Sequence, residues 1–341
     1  MKKVFKSMLF VAMSLIVAGG FTACSEDEVK PTDKTKELVG PKPAKVVINV
    51  YEGHLHGYAG FHENKPYDGV KIMDKPQVFV FTMQNGKWVA DAKNPPYLYA
   101  MSYNQMHNSE ATVSHALDIK YYDEAGKLIN GQFIENGKSD HYQHFFVVEN
   151  QKAFSDFDKK LDNPANREFM RYDYVDPTPW NKTIHSGEGQ YNGLKDPLGF
   201  KGIASFGYCR QTCNLKIMLM ESYNKKNVRL KELEFRDNWG KPVEKYSKIP
   251  DWTPTPEQLK NEKWYPTITI PVMVYMDRNE LGEGEANVTL DMKEDEVPAF
   301  FKRLINTLKF SFNMTYKEAL TELYYRLNGE PAPHDNSGFW F

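Results

Sequence analysis

Short runs of alternating apolar and polar residues dominate the chain and predict β-strands. Val78-Phe79-Val80-Phe81-Thr82-Met83 is followed by Gln84-Asn85-Gly86-Lys87 and then Trp88-Val89, and Asn-Gly between apolar runs is a strong hairpin signal. Pro271 lies inside another such run, which indicates an edge strand or a bulge. Further strands are predicted at 45–50, 117–122, 144–148, 202–208, 215–220, 230–235, 267–276 and 287–292. The predicted fold class is mainly β, with antiparallel, sandwich-like domains.

Helical signals are few and lie near the C-terminus. Thr255-Pro256-Glu257-Gln258 combines an N-cap, a proline in the first turn and a capping box, which predicts a short helix. Runs 297–308 and 316–327 have the apolar spacing of helices, and Thr315-Tyr316-Lys317-Glu318 opens the second with a capping box. We therefore expect a short helical C-terminal segment.

Changes in composition along the chain predict five segments. Residues 1–23 have a basic start and a short apolar core, as in a cleaved signal peptide. The tether that follows is polar and disordered, and a Pro- and Gly-bearing linker or surface excursion separates two β domains. The predicted order is a signal peptide (1–23), a tether (24–44), an N-terminal β domain (45–150), the linker (151–200) and a C-terminal β domain with helices (201–341).

Two motifs around the predicted cleavage point suggest where the protein resides. Phe21-Thr22-Ala23-Cys24 resembles a bacterial lipobox, in which the cysteine becomes the lipidated first residue. Ser25-Glu26-Asp27-Glu28 resembles the acidic run of surface-exposed lipoproteins of Bacteroidota-type outer membranes. The resemblance implies a palmitate-type anchor on Cys24 and a body that is held at the outer membrane and faces the cell exterior. A solvated acidic tether is the alternative interpretation of the acidic run.

Charge and motif content exclude several classes of function. Without residues 1–23 the chain has 40 basic and 45 acidic residues and no basic stripe, so nucleic acid is not an expected partner. No nucleophile elbow or phosphate-binding glycine loop occurs. His62-Glu63-Asn64-Lys65-Pro66 has proline where a zinc-protease helix would have its second histidine. We therefore predict that the protein is not an enzyme.

Histidines are concentrated in the first half of the chain, where seven of the nine lie between positions 54 and 144. His54 and His56 follow the predicted strand 45–50, and side chains at i and i+2 of a strand share a face at roughly 7 Å. A second group, Asp140-His141-Tyr142-Gln143-His144, directly precedes an apolar strand. The candidate metal ligands are His54, His56, His62, His141 and His144.

These histidines could form a site with three or four nitrogen ligands, which suits zinc, copper or the iron of haem. Polar residues on the solvent face of an edge strand, and hydrogen-bonded core histidines, are the alternative interpretations. Cys209 and Cys213 are predicted to form a disulfide, because the protein is expected to be exported. That bond requires residues 210–212 to form a tight turn, since extended backbone would place the two Cα atoms roughly 13 Å apart. Buried thiols and metal binding are the alternatives for this pair.

Two functions follow from these observations. In the first, a surface lipoprotein binds a metal ion or haem through its histidines and passes it to an outer-membrane transporter. In the second, the histidines are incidental and the lipoprotein binds a glycan or a protein, with tryptophans stacking on sugar rings. The six tryptophans are at positions 88, 180, 239, 252, 264 and 340, and a core role is their alternative.

Overall fold

Strands form 45% of the described chain and helices 15%, as the alternating pattern predicts, so the mainly β prediction is confirmed. The computed structural model describes residues 38–56, 60–62, 76–102, 112–153, 169–183, 188–209, 211–233, 248–277, 288–312 and 314–328. Leu38–Phe341 forms one compact unit. The predicted signal peptide, Cys24 and most of the predicted tether lie outside the described residues.

The strands are β1 Lys45–His56, β2 Gly60–His62, β3 Gln77–Gln84, β4 Lys87–Ala90, β5 Leu98–Ser102, β6 Thr112–Tyr122, β7 Tyr142–Ala153, β8 Met170–Tyr174, β9 Pro177–Thr178, β10 Gln190–Tyr191, β11 Lys201–Phe206, β12 Gln211–Glu221, β13 Leu230–Glu232, β14 Lys248–Pro250, β15 Lys263–Trp264 and β16 Ile268–Asp277. The α-helices are α1 Gly131–Ile134, α2 Pro256–Asn261, α3 Ala299–Phe312 and α4 Tyr316–Asn328, and a 3₁₀ turn at Lys138–His141 precedes β7. None of the described helices is long and apolar enough to cross a membrane.

Twelve strands join in one sheet that divides into two layers. The first layer has the order β8-β11-β6-β1-β3-β4, with β2 on the same edge of β1 as β3. The second layer has the order β7-β12-β16-β5, with β15 also paired to β12. Strand β5 connects the layers, because it pairs in parallel with β16 and, at Ser102, with Phe206 of β11. The sheet is therefore mixed, whereas the predicted domains were antiparallel.

The main core lies between the two layers. The ring of Phe146 on β7 stacks on Tyr172 of β8 with centroids 3.6 Å apart, and the ring of His144 stacks on Tyr121 of β6 at 5.8 Å. A second apolar cluster lies between α3, α4 and the strands β5 and β16. It contains Tyr99, Met101, Val113, Met273, Tyr275, Leu304, Ile305, Leu308, Leu320 and Leu323. The predicted C-terminal helices are thus present and packed against the sheet.

The division into two β domains and a linker is corrected by the pairing of the strands. Segments 45–150 and 201–341 contribute neighbouring strands to the one sheet. Strand β8 lies within the predicted linker, yet it pairs with β11 along its length and its five residues are buried. The segment looks polar because Arg171 and Asp173 alternate with Tyr172 and Tyr174, and the two charged residues pair with each other.

Three further predictions differ from the structure at single segments. In the predicted strand 287–292, the described residues 288–292 are not in a strand, and residues 290–291 form a turn. Pro271 lies in β16, which is an inner strand and not an edge strand, although its register with β5 shifts, as at a bulge, between Val274 and Met276. Pro271 is accommodated because pairing with β5 begins one residue later, at Val272. The end of the predicted tether packs on the body, where the Tyr265 hydroxyl donates to the carbonyl of Pro41 at 2.9 Å.

Candidate functional site

Backbone pairing brings together three of the five predicted site histidines. Strands β1 and β2 are antiparallel, with His54 opposite His62 and His56 opposite Gly60. Residues directly opposite in an antiparallel pair share a face of the sheet, and their Cβ atoms lie roughly 4.5–5.5 Å apart. Positions 54, 56 and 62 therefore share one face at the end of β1.

A buried aromatic residue fixes this register. Phe61 is opposite Leu55 and is fully buried among Ala116, Val175 and Ile203. Successive strand positions lie on opposite faces, so burial of Phe61 on one side places position 62 on the other. A slip by one residue would expose Phe61, which penalises any other register.

The three histidine positions continue the core face of β1. Val46, Ile48 and Val50 are buried in the main core, and position 54 follows them at an even number of residues, so it lies on the same face of the strand. Across the other edge of β1, His54 is opposite Val113, which is fully buried in the second apolar cluster. A ligand at these positions would be bound beside apolar residues, where electrostatic attraction is stronger than in water.

The side chains of His54, His56 and His62 lie outside the described part of the structure, which gives their backbone pairing. Among the side chains that the structure does describe, no three His, Cys, Asp or Glu residues come together as a metal site. The backbone register is therefore the observation on which a metal site at these positions rests.

His144 is separated from this group and is a hydrogen-bonded core residue. Its Nε2 is 3.1 Å from the Tyr121 hydroxyl and its Nδ1 is 2.9 Å from the carbonyl of Leu198. Tyr121 is opposite Val46, which is eight positions before His54, or roughly 26 Å along the strand. Burial lowers the pKa of His144 to about 4. The prediction that His144 joins the other ligands is corrected by this geometry.

His141 is also separated from this group, because it precedes Tyr142, whose hydroxyl lies beside Gly40 before the start of β1. It ends the 3₁₀ turn before β7 and is half-buried, with Nδ1 3.1 Å from the carbonyl of Ser222. The two groups that looked like one histidine-rich region in the sequence are thus placed apart by the topology. His54, His56 and His62 remain as the candidate site.

Sequence reasoning missed two polar residues next to the candidate site. Glu52 is 4% exposed and has the same parity as His54, and His115 of β6 is its direct partner in the ladder. His115 is fully buried, its Nε2 accepts a hydrogen bond from the Met101 amide at 3.4 Å, and burial lowers its pKa to about 4. The signal for Glu52 was present in the sequence, since Glu52, His54 and His56 alternate with Gly53 and Leu55.

Cys209 and Cys213 are not bonded to each other, so the prediction of a disulfide between them is wrong. Residues 211–213 are extended at the start of β12, and Cys213 pairs with Val272 in the ladder, so these residues do not form the tight turn that a disulfide requires. Both side chains are buried, and burial raises the pKa of the Cys213 thiol to about 12.

We expect slow alkylation of both thiols in the native protein. Both thiols are buried away from the reagent, and the raised pKa of Cys213 leaves little of its reactive thiolate. Peptide mapping should find the peptides of Cys209 and Cys213 unlabelled after iodoacetamide treatment of folded protein, and both labelled after denaturation without a reductant. A disulfide-linked peptide in the denatured, unreduced sample would contradict this expectation.

The tryptophans do not form an exposed sugar-stacking surface in the described part of the chain. Trp252 is 2% exposed, and Trp88, Trp180 and Trp264 are partly buried. Trp180 donates its ring N–H to Glu135 at 2.9 Å, and Trp264 donates to the carbonyl of Gln258 at 3.3 Å. These four residues therefore have packing and hydrogen-bonding roles.

No protein-family model matches this chain, and neither the curated proteins nor the solved structures contain a match to it.

Proposed function

We propose that the protein is a lipid-anchored outer-membrane protein that binds a transition metal ion, or haem, through His54, His56 and His62 and passes it to an outer-membrane transporter. The observation that carries the proposal is the register of β1 and β2, which puts His54 opposite His62. Neutral imidazole is a ligand for zinc, copper and haem iron. Two imidazoles on opposed strands and a third two residues away are spaced for one bound ion.

The position of the candidate site along β1 suits such a role. The described chain begins at Leu38, and β1 begins at Lys45. His54 lies nine residues further on, roughly 30 Å along the strand. A site at the far end of β1 is separated from the point where the N-terminal segment joins the body, which favours access for a transporter.

Binding should be stoichiometric and should depend on the hairpin histidines. We expect calorimetric titration of the full chain with zinc, copper or haemin to show one site. The variant with His54→Ala and His62→Ala loses two ligands, so its affinity for that ligand should fall by at least about 100-fold. Because imidazoles must be neutral to bind, affinity should also fall between about pH 7 and pH 5.

The matched control is His141→Ala, which removes a half-buried imidazole beside the carbonyl of Ser222 and should leave binding unchanged. Absence of binding to the wild type, or equal binding by the double variant, would contradict the proposal. Glycan or protein binding would then be the function to test.

A further inference from the structure

The N-terminal end of the described chain crosses from one layer of the sheet to the other. Ala44 belongs to the first layer, where its amide donates to the carbonyl of Tyr122 in β6 and its carbonyl accepts from an amide of β3, each at 2.8 Å. Three residues earlier, the carbonyl of Pro41 accepts a hydrogen bond from the hydroxyl of Tyr265. The amide of Tyr265 is bonded to β12 in the second layer. Residues 38–43, which we call the strap, therefore tie the two layers together.

The strap fits closely against the second layer because Gly40 has no side chain. A Cβ at this position would collide with the hydroxyl of Tyr142 and lie 2.7 Å from that of Tyr265. Pro41 is buried, and Leu38 packs against the main core. Only glycine allows the backbone to approach the two tyrosines so closely.

The strap covers one end of the main core. Tyr142 and Tyr265 are each 4% exposed, and the ring of Phe133 lies against both, with centroids 5.2 Å and 5.8 Å away. Tyr121 continues this aromatic cluster, with its ring centroid 5.5 Å from that of Phe133. Withdrawal of the strap would uncover the hydroxyl ends of the two tyrosines that close the cluster.

The strap is held less firmly than the strand that follows it. From Lys45 to Val50, β1 is paired on both edges, with β3 and with β6. The strap meets the second layer through the hydrogen bond of Tyr265 and the close fit at Gly40. Local opening costs least where few hydrogen bonds hold the chain, so the strap should open at a lower free energy than β1.

We infer that the strap locks the two layers of the sheet together at this end of the core, and that it detaches before β1 when the N-terminal segment is pulled. The inference goes beyond the proposed function, since it holds with or without a bound metal ion. In a protein anchored through Cys24, residues 25–37 would transmit such a pull to Leu38. Detachment would free the six residues 38–43, which is a gain in length of up to roughly 20 Å.

The test stretches single molecules of the full chain between handles at the two termini in optical tweezers. The wild type should lengthen by up to roughly 20 Å, in a reversible step at a lower force than the unfolding of the body. In Gly40→Leu the new side chain collides with Tyr142, so the strap is already detached and this step should be lost. Loss of the step on a change at position 40 assigns it to the strap and not to another element.

Val39→Leu is the matched control. Val39 is the neighbour of Gly40 but is 81% exposed, so a larger side chain there should leave the step unchanged. Should Gly40→Leu not fold, Gly40→Ala takes its place, alone and combined with Tyr142→Phe. Removing the hydroxyl of Tyr142 relieves the collision with the added Cβ, so the combined variant should show the step at a higher force than Gly40→Ala alone.

Two results would overturn the inference. One is a wild type that shows no step before the body unfolds, and the other is an equal step in Gly40→Leu. Failure of the wild type to bind zinc, copper or haemin would instead overturn the proposed metal site and leave this inference standing.

Discussion

Replacing Arg171 by Met should lower the free energy of unfolding by about 3–5 kcal/mol at neutral pH. Arg171 and Asp173 are 2% and 1% exposed, and two hydrogen bonds join them, from Nε to Oδ1 at 2.8 Å and from Nη2 to Oδ2 at 2.7 Å. Burial raises the pKa of Asp173 even with the guanidinium beside it. Removal of Arg171 would leave a carboxylate inside the protein without that compensating charge.

A double variant separates the cost of an orphaned charge from the value of the pair. Arg171→Met with Asp173→Leu should recover most of the lost stability, because an apolar pair of similar volume can replace a buried ion pair at little cost. Lys182→Met is the control for an exposed pair, since Lys182 and Glu188 are 42% and 59% exposed at the side chain. That change should cost less than about 1 kcal/mol.

Urea unfolding of the three variants measures these differences. The loss in free energy of unfolding of Arg171→Met, relative to the wild type, should also become smaller toward low pH. The reason is that an uncompensated Asp173 takes up a proton more readily in the folded state than in the unfolded state. A deficit below about 1 kcal/mol, or a double variant as unstable as Arg171→Met, would show that the pair does not stabilise β8 in this way.

Local signals in the sequence were sufficient for turns and helix ends. Asn85 and Gly86 have positive φ values of 49° and 75° between β3 and β4, the backbone conformation that Asn-Gly favours. In α2, the Gln258 amide donates to the Thr255 hydroxyl at 3.0 Å, and Gln258 Oε1 accepts from the Thr255 amide at 2.9 Å. Each of these features depends on residues that are neighbours in sequence, so the pattern alone predicts them.

Long-range pairing decided the features that the sequence did not reveal. In the sequence, β8 looks like a polar linker, because its pairing with β11, which buries the ion pair between Arg171 and Asp173, joins residues that are far apart in sequence. The same holds for the histidines. The two-residue period correctly placed positions 54 and 56 on one face, whereas the separation of His144 depends on which layer of the sheet contains β7. No spacing along the chain encodes that choice.

The stability difference between the wild type and His144→Gln should depend on pH and fall by about 3 kcal/mol between pH 7 and pH 4. Burial lowers the pKa of His144 to about 4, and the nearby charge of Lys226 acts in the same direction, while the hydrogen bond to the Leu198 carbonyl opposes both. The folded state therefore keeps the imidazole neutral. An unfolded chain, with a histidine pKa near 6.5, takes up the proton first as the pH falls.

The sign of the effect follows from this difference in proton uptake. The stability that neutral His144 provides is fully present above about pH 6.5 and is lost as the pH falls toward 4. The glutamine side chain that replaces the imidazole in His144→Gln does not titrate, so the variant loses nothing at this position over the same range. The amide can still donate to the Leu198 carbonyl, and its size is close to that of the imidazole.

The free energy of unfolding of the wild type must be compared with that of His144→Gln, because a second buried group has the opposite effect on stability in the same pH range. Burial raises the pKa of Asp176 to about 6, so that carboxyl gains a proton in the folded state first and its contribution to stability grows as the pH falls. Asp176 is present in both proteins, and its contribution cancels in the difference. Urea unfolding at half-unit steps from pH 7 to pH 4 measures the result. A stability difference that stays constant across this range would show that His144 is charged in the folded protein or equally neutral in both states.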